Sequence, residues 1–281
     1  MIKPFNLNNM NKLFFTFLIA GSFMKSQTHR FIYDVVYKKD SASTVRTKEN
    51  YHLDIENDNV TYYNRDFFVA DSLISNNLKF PDDAKLNTSS IVFHKKGNDQ
   101  YEEFDILEGS TILKLQSAEA QNWKLSKESK KVKNLTLQKA TATYGGRNWT
   151  AWFTKEIPFQ EGPYKFHGLP GLIVELYDDK NNYRFELVKS VKMPGIPKNQ
   201  FIEMSRQMGV PVDWEKYQKA KLTYYESPVN YLKNASSIDQ FYLNDGTVVN
   251  AANAREINDR LKATIKKYNN PVNLEKKVVY P

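Results

Sequence analysis

Alternation of apolar and polar residues is the feature of this chain that most constrains its fold. Two-residue periods run through residues 51–55, 123–127 and 135–144. Side chains on a β-strand point to opposite faces in turn, so this period predicts strands with one packed face and one wet face. Gly145-Gly146 separates two such runs. Because two-residue hairpin loops need positive φ, this glycine pair predicts a hairpin.

Strand-like segments continue over residues 31–191, and helical patterns follow after Pro194. The segments with helical spacing are residues 201–208, 213–225 (with Asp213 as N-cap) and 254–268. About ten antiparallel strands in one sheet must curl strongly or close, and amphipathic helices pack on apolar sheet faces. We therefore predict an α+β, mainly β fold: a long antiparallel meander forming a strongly curved sheet or half-barrel, with C-terminal helices packed on it. Residues 71–89, rich in turn formers, are assigned to a loop with at most one short helical turn.

The N-terminus has the features of a secretory signal peptide. Lys12 precedes an apolar run, residues 13–23, that is too short to span a bilayer stably, and Ser26 supplies a small residue for cleavage. We therefore expect residues 1–26 to be removed on export.

The remainder, residues 27–281, is predicted to be one β-rich domain, with strands over residues 27–194 and mostly helices over residues 195–281. The sequence contains no cysteine, which excludes a lipoprotein anchor, disulfides, thiol catalysis and cysteine-ligated zinc. No second apolar run of membrane-spanning length follows. We expect a periplasmic or secreted protein that is not a lipoprotein and has no transmembrane segment in the mature chain.

The charge of the chain is mildly basic, with a formal net charge of +8 over 281 residues. Export argues against nucleic acid as the partner, although basic patches are typical of nucleic-acid binding. The densest basic patch is predicted to be a solvated hairpin tip; it consists of Lys124, Lys127, Lys130, Lys131 and Lys133.

A series of motifs is concentrated between residues 120 and 190. The most distinctive is the hexapeptide Gly168-Leu169-Pro170-Gly171-Leu172-Ile173, within the run GPYKFHGLPGLIVELYDDKNNYRFEL of residues 162–187. The accompanying motifs are Trp123, Leu125, Glu128, Gln138-Lys139-Ala140-Thr141-Ala142, Gly146-Arg147, Ala151-Trp152-Phe153, Ile157-Pro158, Gly162-Pro163, Phe166, Asn270-Pro271 and Leu274-Glu275.

This pattern is similar to the GLPGLI family, exported proteins of Bacteroidota whose function is not established. The resemblance implies a cell-envelope protein and names no activity. Leu137 stands where many relatives carry a cysteine, which argues against a shared thiol role. The module also resembles the N-terminal bowl-like domain of some secreted flavobacterial peptide-N-glycanases.

The segment around the hexapeptide has two interpretations. Its Gly-Pro and Pro-Gly pairs predict a tight bend, which fits a corner that closes the sheet. The alternative is a rigid loop at the rim of a cavity that presents side chains and backbone amides to a ligand. The candidate ligand-binding residues are Lys165, His167, Gly168, Trp152 and Tyr144.

Signatures of catalysis are weak. His167 would need a carboxylate such as Glu161 or Glu175 to act as a general base, and a histidine that packs on aromatic rings is the simpler interpretation. The sequence has no HExxH motif, nucleophile elbow, dinucleotide loop or phosphate loop. Residues 178–182 fit a hairpin loop better than a calcium loop. No catalytic residue, metal or cofactor is assigned.

Three functional hypotheses follow. The first is an exported non-catalytic binding or carrier module of the bacterial cell envelope, holding an apolar or amphipathic molecule or a glycan in a curved sheet. The second is a hydrolase or glycan-processing accessory with a site near the hexapeptide. The third is a scaffold partner of an outer-membrane transporter. Because no chemical constellation is visible, the sequence favours binding over catalysis.

Overall fold

The computed structural model describes residues 28–76, 78, 90–107, 111–230, 241–243 and 246–281, so the predicted signal peptide lies outside the described residues. The strands are β1 (Thr28–Tyr37), β2 (Thr47–Glu56), β3 (Asn59–Asn64), β4 (Ser90–Lys95), β5 (Gln100–Leu107), β6 (Thr111–Ala118), β7 (Lys124–Val132), β8 (Leu135–Tyr144), β9 (Arg147–Thr154), β10 (Leu172–Asp178), β11 (Tyr183–Met193), β12 (Val210–Val212), β13 (Phe241–Tyr242) and β14 (Val248–Val249). The helices are α1 (Arg65–Ser75), α2 (Gln200–Met208), α3 (Trp214–Glu226) and α4 (Ala254–Lys267), with a 3-10 turn at Leu274–Lys276.

Twelve of the described strands form one sheet in the order β12-β6-β5-β4-β3-β2-β1-β11-β10-β9-β8-β7, and β13 pairs with β14. The sheet consists of two meanders, β1 to β6 and β7 to β11, which join where β1 pairs antiparallel with β11 from Thr28↔Met193 to Tyr37↔Tyr183. Every pairing is antiparallel except that of β12 with β6. This architecture confirms the predicted fold class.

The connection between the two meanders requires strong curvature. Laid flat, ten strand spacings of about 4.8 Å would place β7 about 48 Å from β6. Residues 119–123 make this connection, and such a segment reaches about 20 Å when extended. The sheet must therefore curl until its two ends approach each other.

The main core lies on the inner face of this curl. Its cluster combines side chains from strands near both ends of the sheet, such as Val92 and Tyr101 on β4 and β5, and Ala140 and Trp149 on β8 and β9. The β1–β2 ladder contributes Phe31 to this core, where its side chain is fully buried. Residues that are distant along the sheet thus share one core.

The outer face differs between the two meanders. Over β3 to β6, which we call the covered half, α1 and α2 pack on the sheet through Phe67 and Ile202, against Ile91 and Phe104. Over β7 to β11, the open half, outward side chains such as Thr150, Trp152 and Glu175 are half-buried.

Several local predictions are confirmed, and one helix was not predicted in full. Gly145 and Gly146 have φ of 58° and 69° in the hairpin between β8 and β9, and the Asp213 side chain caps α3 by accepting from the backbone N–H of Lys216 at 2.8 Å. Residues 71–89 are predicted to form a loop with one short helical turn; residues 71–75 form the last part of α1, which begins at Arg65, and residues 77 and 79–89 lie outside the described residues. At the start of this helix the Asn64 side chain accepts a hydrogen bond from the Asp66 N–H at 2.8 Å. The helix buries Phe67 against the outer face of the sheet.

Candidate functional site beneath the loop between β9 and β10

Residues 155–171 connect β9 to β10 and lie on the inner face of the sheet; we call them the plug. Gly168 N donates to Gln160 O at 2.9 Å, and Ile173 N donates to Glu161 O at 3.0 Å, so the plug is tied to itself and to β10. Gly171 has φ +149°, and a Cβ there would lie 2.0 Å from Thr154 O. Only glycine fits this close approach, which explains the Pro-Gly pair.

Apolar side chains fix the plug in the core. Phe166 and Leu169 are each 1% exposed. The Phe166 ring contacts Trp149 edge-on at 4.6 Å between centroids and Tyr144 at 5.2 Å. Such aromatic pairs stabilise by about 0.5–1.5 kcal/mol beyond their buried area.

Hydroxyl and indole groups of the sheet and its connection hold the plug backbone. Tyr33 OH donates to Ile173 O at 2.6 Å just past the plug, and Tyr101 OH donates to Lys165 O at 3.1 Å. Trp123 Nε1 donates to His167 O at 2.7 Å. The plug is therefore bound by β5, which belongs to the first meander, and by residues 119–123, which connect the two meanders.

Lys165 lies in a buried charge network. Its side chain is 1% exposed, and Nζ lies 2.9 Å from Glu103 Oε2 and 3.6 Å from Glu119 Oε1. Glu119 also receives Lys276 Nζ and the Tyr144 hydroxyl. Burial alone would raise the pKa of Glu119, but Lys165, Lys276 and Tyr144 outweigh burial and hold that pKa below its usual value. The Lys165 charge is thus compensated by the protein itself.

Histidines and carboxylates form a second cluster beside the plug. His94 Nε2 lies 3.1 Å from Glu161 Oε2, with both side chains nearly buried. His167 Nε2 lies 3.3 Å from Asp99 Oδ1, and the two imidazole rings are 5.9 Å apart. Neither Glu161 oxygen meets hydrogen-bond geometry with a partner. The partner of His167 is therefore Asp99, and Glu161 faces His94.

The structure brings four of the five candidate ligand-binding residues to one region. Tyr144, Lys165 and His167 each contact Glu119, the last through the Glu119 carbonyl at 3.3 Å. Gly168 follows His167 and is exposed. The fifth candidate, Trp152, lies on the outer face, where Lys130 Nζ stands 4.4 Å from its ring centroid.

Two residues of this region were not identified from the sequence. Glu119 and Glu103 precede Lys165 by 46 and 62 positions, and nothing local marks them as its partners. Glu175, considered as a partner of His167, instead lies on the outer face, where it receives Lys130 at 2.8 Å.

Another contact explains two motifs that are far apart in sequence. Arg147 on β9 donates to Asn270 Oδ1 and Pro271 O, both at 2.7 Å, and pairs with Asp178 at 3.2 Å. A Cβ on Gly145 would lie 2.8 Å from Asn273. The Gly146-Arg147 and Asn270-Pro271 motifs therefore form one latch that fastens the C-terminal tail to the open half.

Within the described ranges, no three or more histidine, cysteine, aspartate or glutamate side chains are grouped so that they could hold a metal ion. None of the helices in that part of the chain is both long and apolar enough to cross a membrane.

Comparison with known proteins gives limited matches. Residues 144–175 match a family model described as a protein of unknown function, Porph_ging; this stretch contains the hexapeptide and the whole plug. No curated protein matches the sequence. Two structures of PNGF-II, in the P21 and C2 space groups, align with 78% of this chain at 14% and 15% identity and TM-scores of 0.49 and 0.47. The alignment covers 35% of each PNGF-II chain, and at these TM-scores the likeness supports no conclusion about function.

Proposed function

We propose that this chain is an exported, non-catalytic binding module of the bacterial cell envelope that holds its partner on an outer surface. The observation that carries the proposal is the plug: Phe166 and Leu169 fill the inner face, and Lys165 is neutralised by Glu103 and Glu119. Membership of the GLPGLI family is part of the same proposal, supported by the family-model match over residues 144–175.

The position of the plug bears on where a ligand binds. A small apolar molecule carried within the curl would have to displace Phe166 from Trp149 and Tyr144. It would also separate the buried charges around Lys165, which costs several kcal/mol. External binding of a protein or glycan requires neither change. An outer-membrane protein is one partner class that fits.

Native mass spectrometry of the protein purified gently from its host tests this proposal. We expect the mass of the bare polypeptide, or of a complex with a macromolecular partner, and no mass that organic extraction removes. A stoichiometric, extractable small molecule would contradict external binding. A Phe166→Ala variant is the control, because the space that it opens should bind an apolar dye that the wild type does not bind.

A hydrolase is the second candidate, favoured by the cluster of His94, Glu161, His167 and Asp99. A histidine beside a buried carboxylate is an arrangement that supports general acid–base chemistry. Ester and glycoside substrates should be tested with the wild type and with His94→Ala and His167→Ala variants. Turnover that both variants abolish while the fold is retained would establish this candidate; equal rates in all three proteins would eliminate it.

A further inference from the structure

Strand β7 is an edge of the twelve-stranded sheet and pairs only with β8 among the described strands. Each of its residues is half-buried or exposed. An edge strand of this kind has one row of backbone N–H and C=O groups without strand partners, which is a template for an added strand.

The hairpin geometry identifies the outward backbone groups. A two-residue turn at Lys133 and Asn134 joins β7 to β8, and Val132 pairs with Leu135. In such a hairpin the pair next to the turn exchanges hydrogen bonds and the following pair does not. The backbone groups of Lys131 and, two residues further, of Ser129 therefore point away from β8.

An independent contact supports this register. Thr136, opposite Lys131, donates its backbone N–H at 2.8 Å to Glu156 Oε1 rather than to β7. In the Lys131–Thr136 pair, the backbone N–H and C=O groups of each residue therefore point away from the other strand.

The charge along this edge is positive and uncompensated. Lys130 is paired with Glu175, and the one acidic residue of β7, Glu128, is paired with Lys139. The remaining lysines are exposed and form no ion pair with the described residues; they are Lys124, Lys127, Lys131 and Lys133. Leu125, 54% exposed, adds an apolar side chain on the same strand.

Lysines and bulges on an edge prevent a protein from pairing with its own copies. Here a second copy would place lysine against lysine, and the register shift between Leu125 and Ser129 interrupts the ladder. The same positive charge attracts an acidic strand, because opposite charges on neighbouring strands stabilise the pair. The edge is selective by charge.

We infer that β7 binds an extended, acidic segment of a partner protein by strand addition, with hydrogen bonds to the Ser129 and Lys131 backbones and ion pairs to the exposed lysines. Such main-chain pairing is an established mode of peptide recognition. This inference rests on the proposed function, because it assigns the surface and the partner class of an externally binding module.

The test measures fluorescence anisotropy of a labelled decapeptide of alternating glutamate and valine, titrated with the purified protein. We expect Lys127→Glu/Lys131→Glu to weaken binding at least about tenfold. Lys189→Glu, at an exposed position on β11 away from the β7 edge, should leave it unchanged. Lys131→Pro should weaken binding about tenfold beyond Lys131→Gln, because proline removes an outward N–H that β8 does not use.

A second measurement uses the wild-type protein, so its result does not depend on whether the proline variant folds. A peptide N-methylated at alternate residues keeps its charge and loses its strand hydrogen bonds, so it should not bind the wild type. Equal binding of both peptides to the wild type would overturn strand addition. Binding of nucleic acid or anionic vesicles would also overturn it, if Lys131→Pro and Lys131→Gln weaken that binding equally. Absence of peptide binding together with a bare native mass would overturn this inference alone, whereas an extractable internal ligand would overturn the proposed function.

Discussion

The covered and open halves of the sheet are built from the same antiparallel ladders and differ in what lies on their outer faces. In the covered half, Ile91, Val92 and Phe93 are consecutive and buried, because the inner core takes one side of β4 and α1 and α2 take the other. In the open half, Ala140 is buried between half-buried neighbours. The continuous apolar run of β4 therefore reflects coverage of both faces, and the alternation around Ala140 reflects one solvated face.

The plug is the element that both halves share. It receives hydrogen bonds from Tyr101 on β5 and from Trp123 at the start of the open half. The β1–β11 ladder and the 119–123 connection also join the two meanders. The comparison therefore predicts that changes in the plug affect the whole molecule and that changes on the open outer face stay local.

The largest expected effect on stability distinguishes an aromatic side chain of the plug from one on the outer face. Phe166→Ala should lower the free energy of unfolding by about 3–5 kcal/mol, because it leaves a cavity at the centre of the core. Trp152→Ala should cost about 1 kcal/mol, since its ring is half-buried and its cation–π contact with Lys130 is worth about 0.5–1 kcal/mol. Chemical denaturation of both variants measures this difference. An equal or larger loss for Trp152→Ala would break the distinction between the two faces.

A somewhat smaller effect is expected at the latch on the open half. Arg147→Ala should cost about 3 kcal/mol, because it leaves Asp178 buried without its charge partner. Asn270→Ala removes one partner of the same guanidinium. The double variant should therefore cost at least about 1 kcal/mol less than the sum of the single losses. Additive losses would show that the two motifs are energetically independent.

A pH dependence is expected at His52 on β2, next to the covered half. Burial first, then Arg30 and Arg65, lower its pKa from 6.5 to about 3, and its Nδ1 makes no hydrogen bond. The unfolded chain takes up this proton first as the pH falls, so stability is complete above pH 6.5 and decreases towards pH 3. Between pH 6.5 and pH 5 the loss is about 2 kcal/mol. Unfolding curves of His52→Leu should lack this component; an unchanged slope would contradict burial of a neutral imidazole.

The smallest effect is expected on the open outer face. Glu175→Gln removes ion pairs to Lys130 and Arg184 whose cationic side chains are 34% and 39% exposed. We expect a loss of about 0.5 kcal/mol that decreases further in salt. Thermal unfolding at low and high ionic strength measures it. A loss of several kcal/mol, independent of salt, would show that this face is covered.

The elements of this fold were predictable where local chemistry decides them. The Gly145-Gly146 hairpin and the Asp213 cap depend on neighbouring residues alone. Helix α1 was not predicted in full because the turn formers that follow Ser75 obscured a short apolar face, formed by Phe67 and Ala70, that only tertiary packing makes helical.

The candidate site was predictable only in part. The sequence identified Lys165 and His167 but not their roles, because Glu103, Glu119 and Asp99 are brought to them by sheet curvature. Trp152 was grouped with Tyr144, although the two lie on opposite faces of the sheet. The bend at Gly162-Pro163 and Pro170-Gly171 was expected, but the insertion of the intervening segment into the core depends on contacts with distant strands.

Hydrogen exchange at the plug tests the central claim most directly. The amides of Gly168 and Phe166, bonded to Gln160 O and Pro163 O, should exchange only with global unfolding, at the free energy measured by denaturation. The exposed loop around Val45 should exchange rapidly and serves as the control. If the two plug amides exchange through local opening while β9 and β10 stay protected, the segment is a mobile loop over a ligand site, and its assignment as an internal plug is wrong.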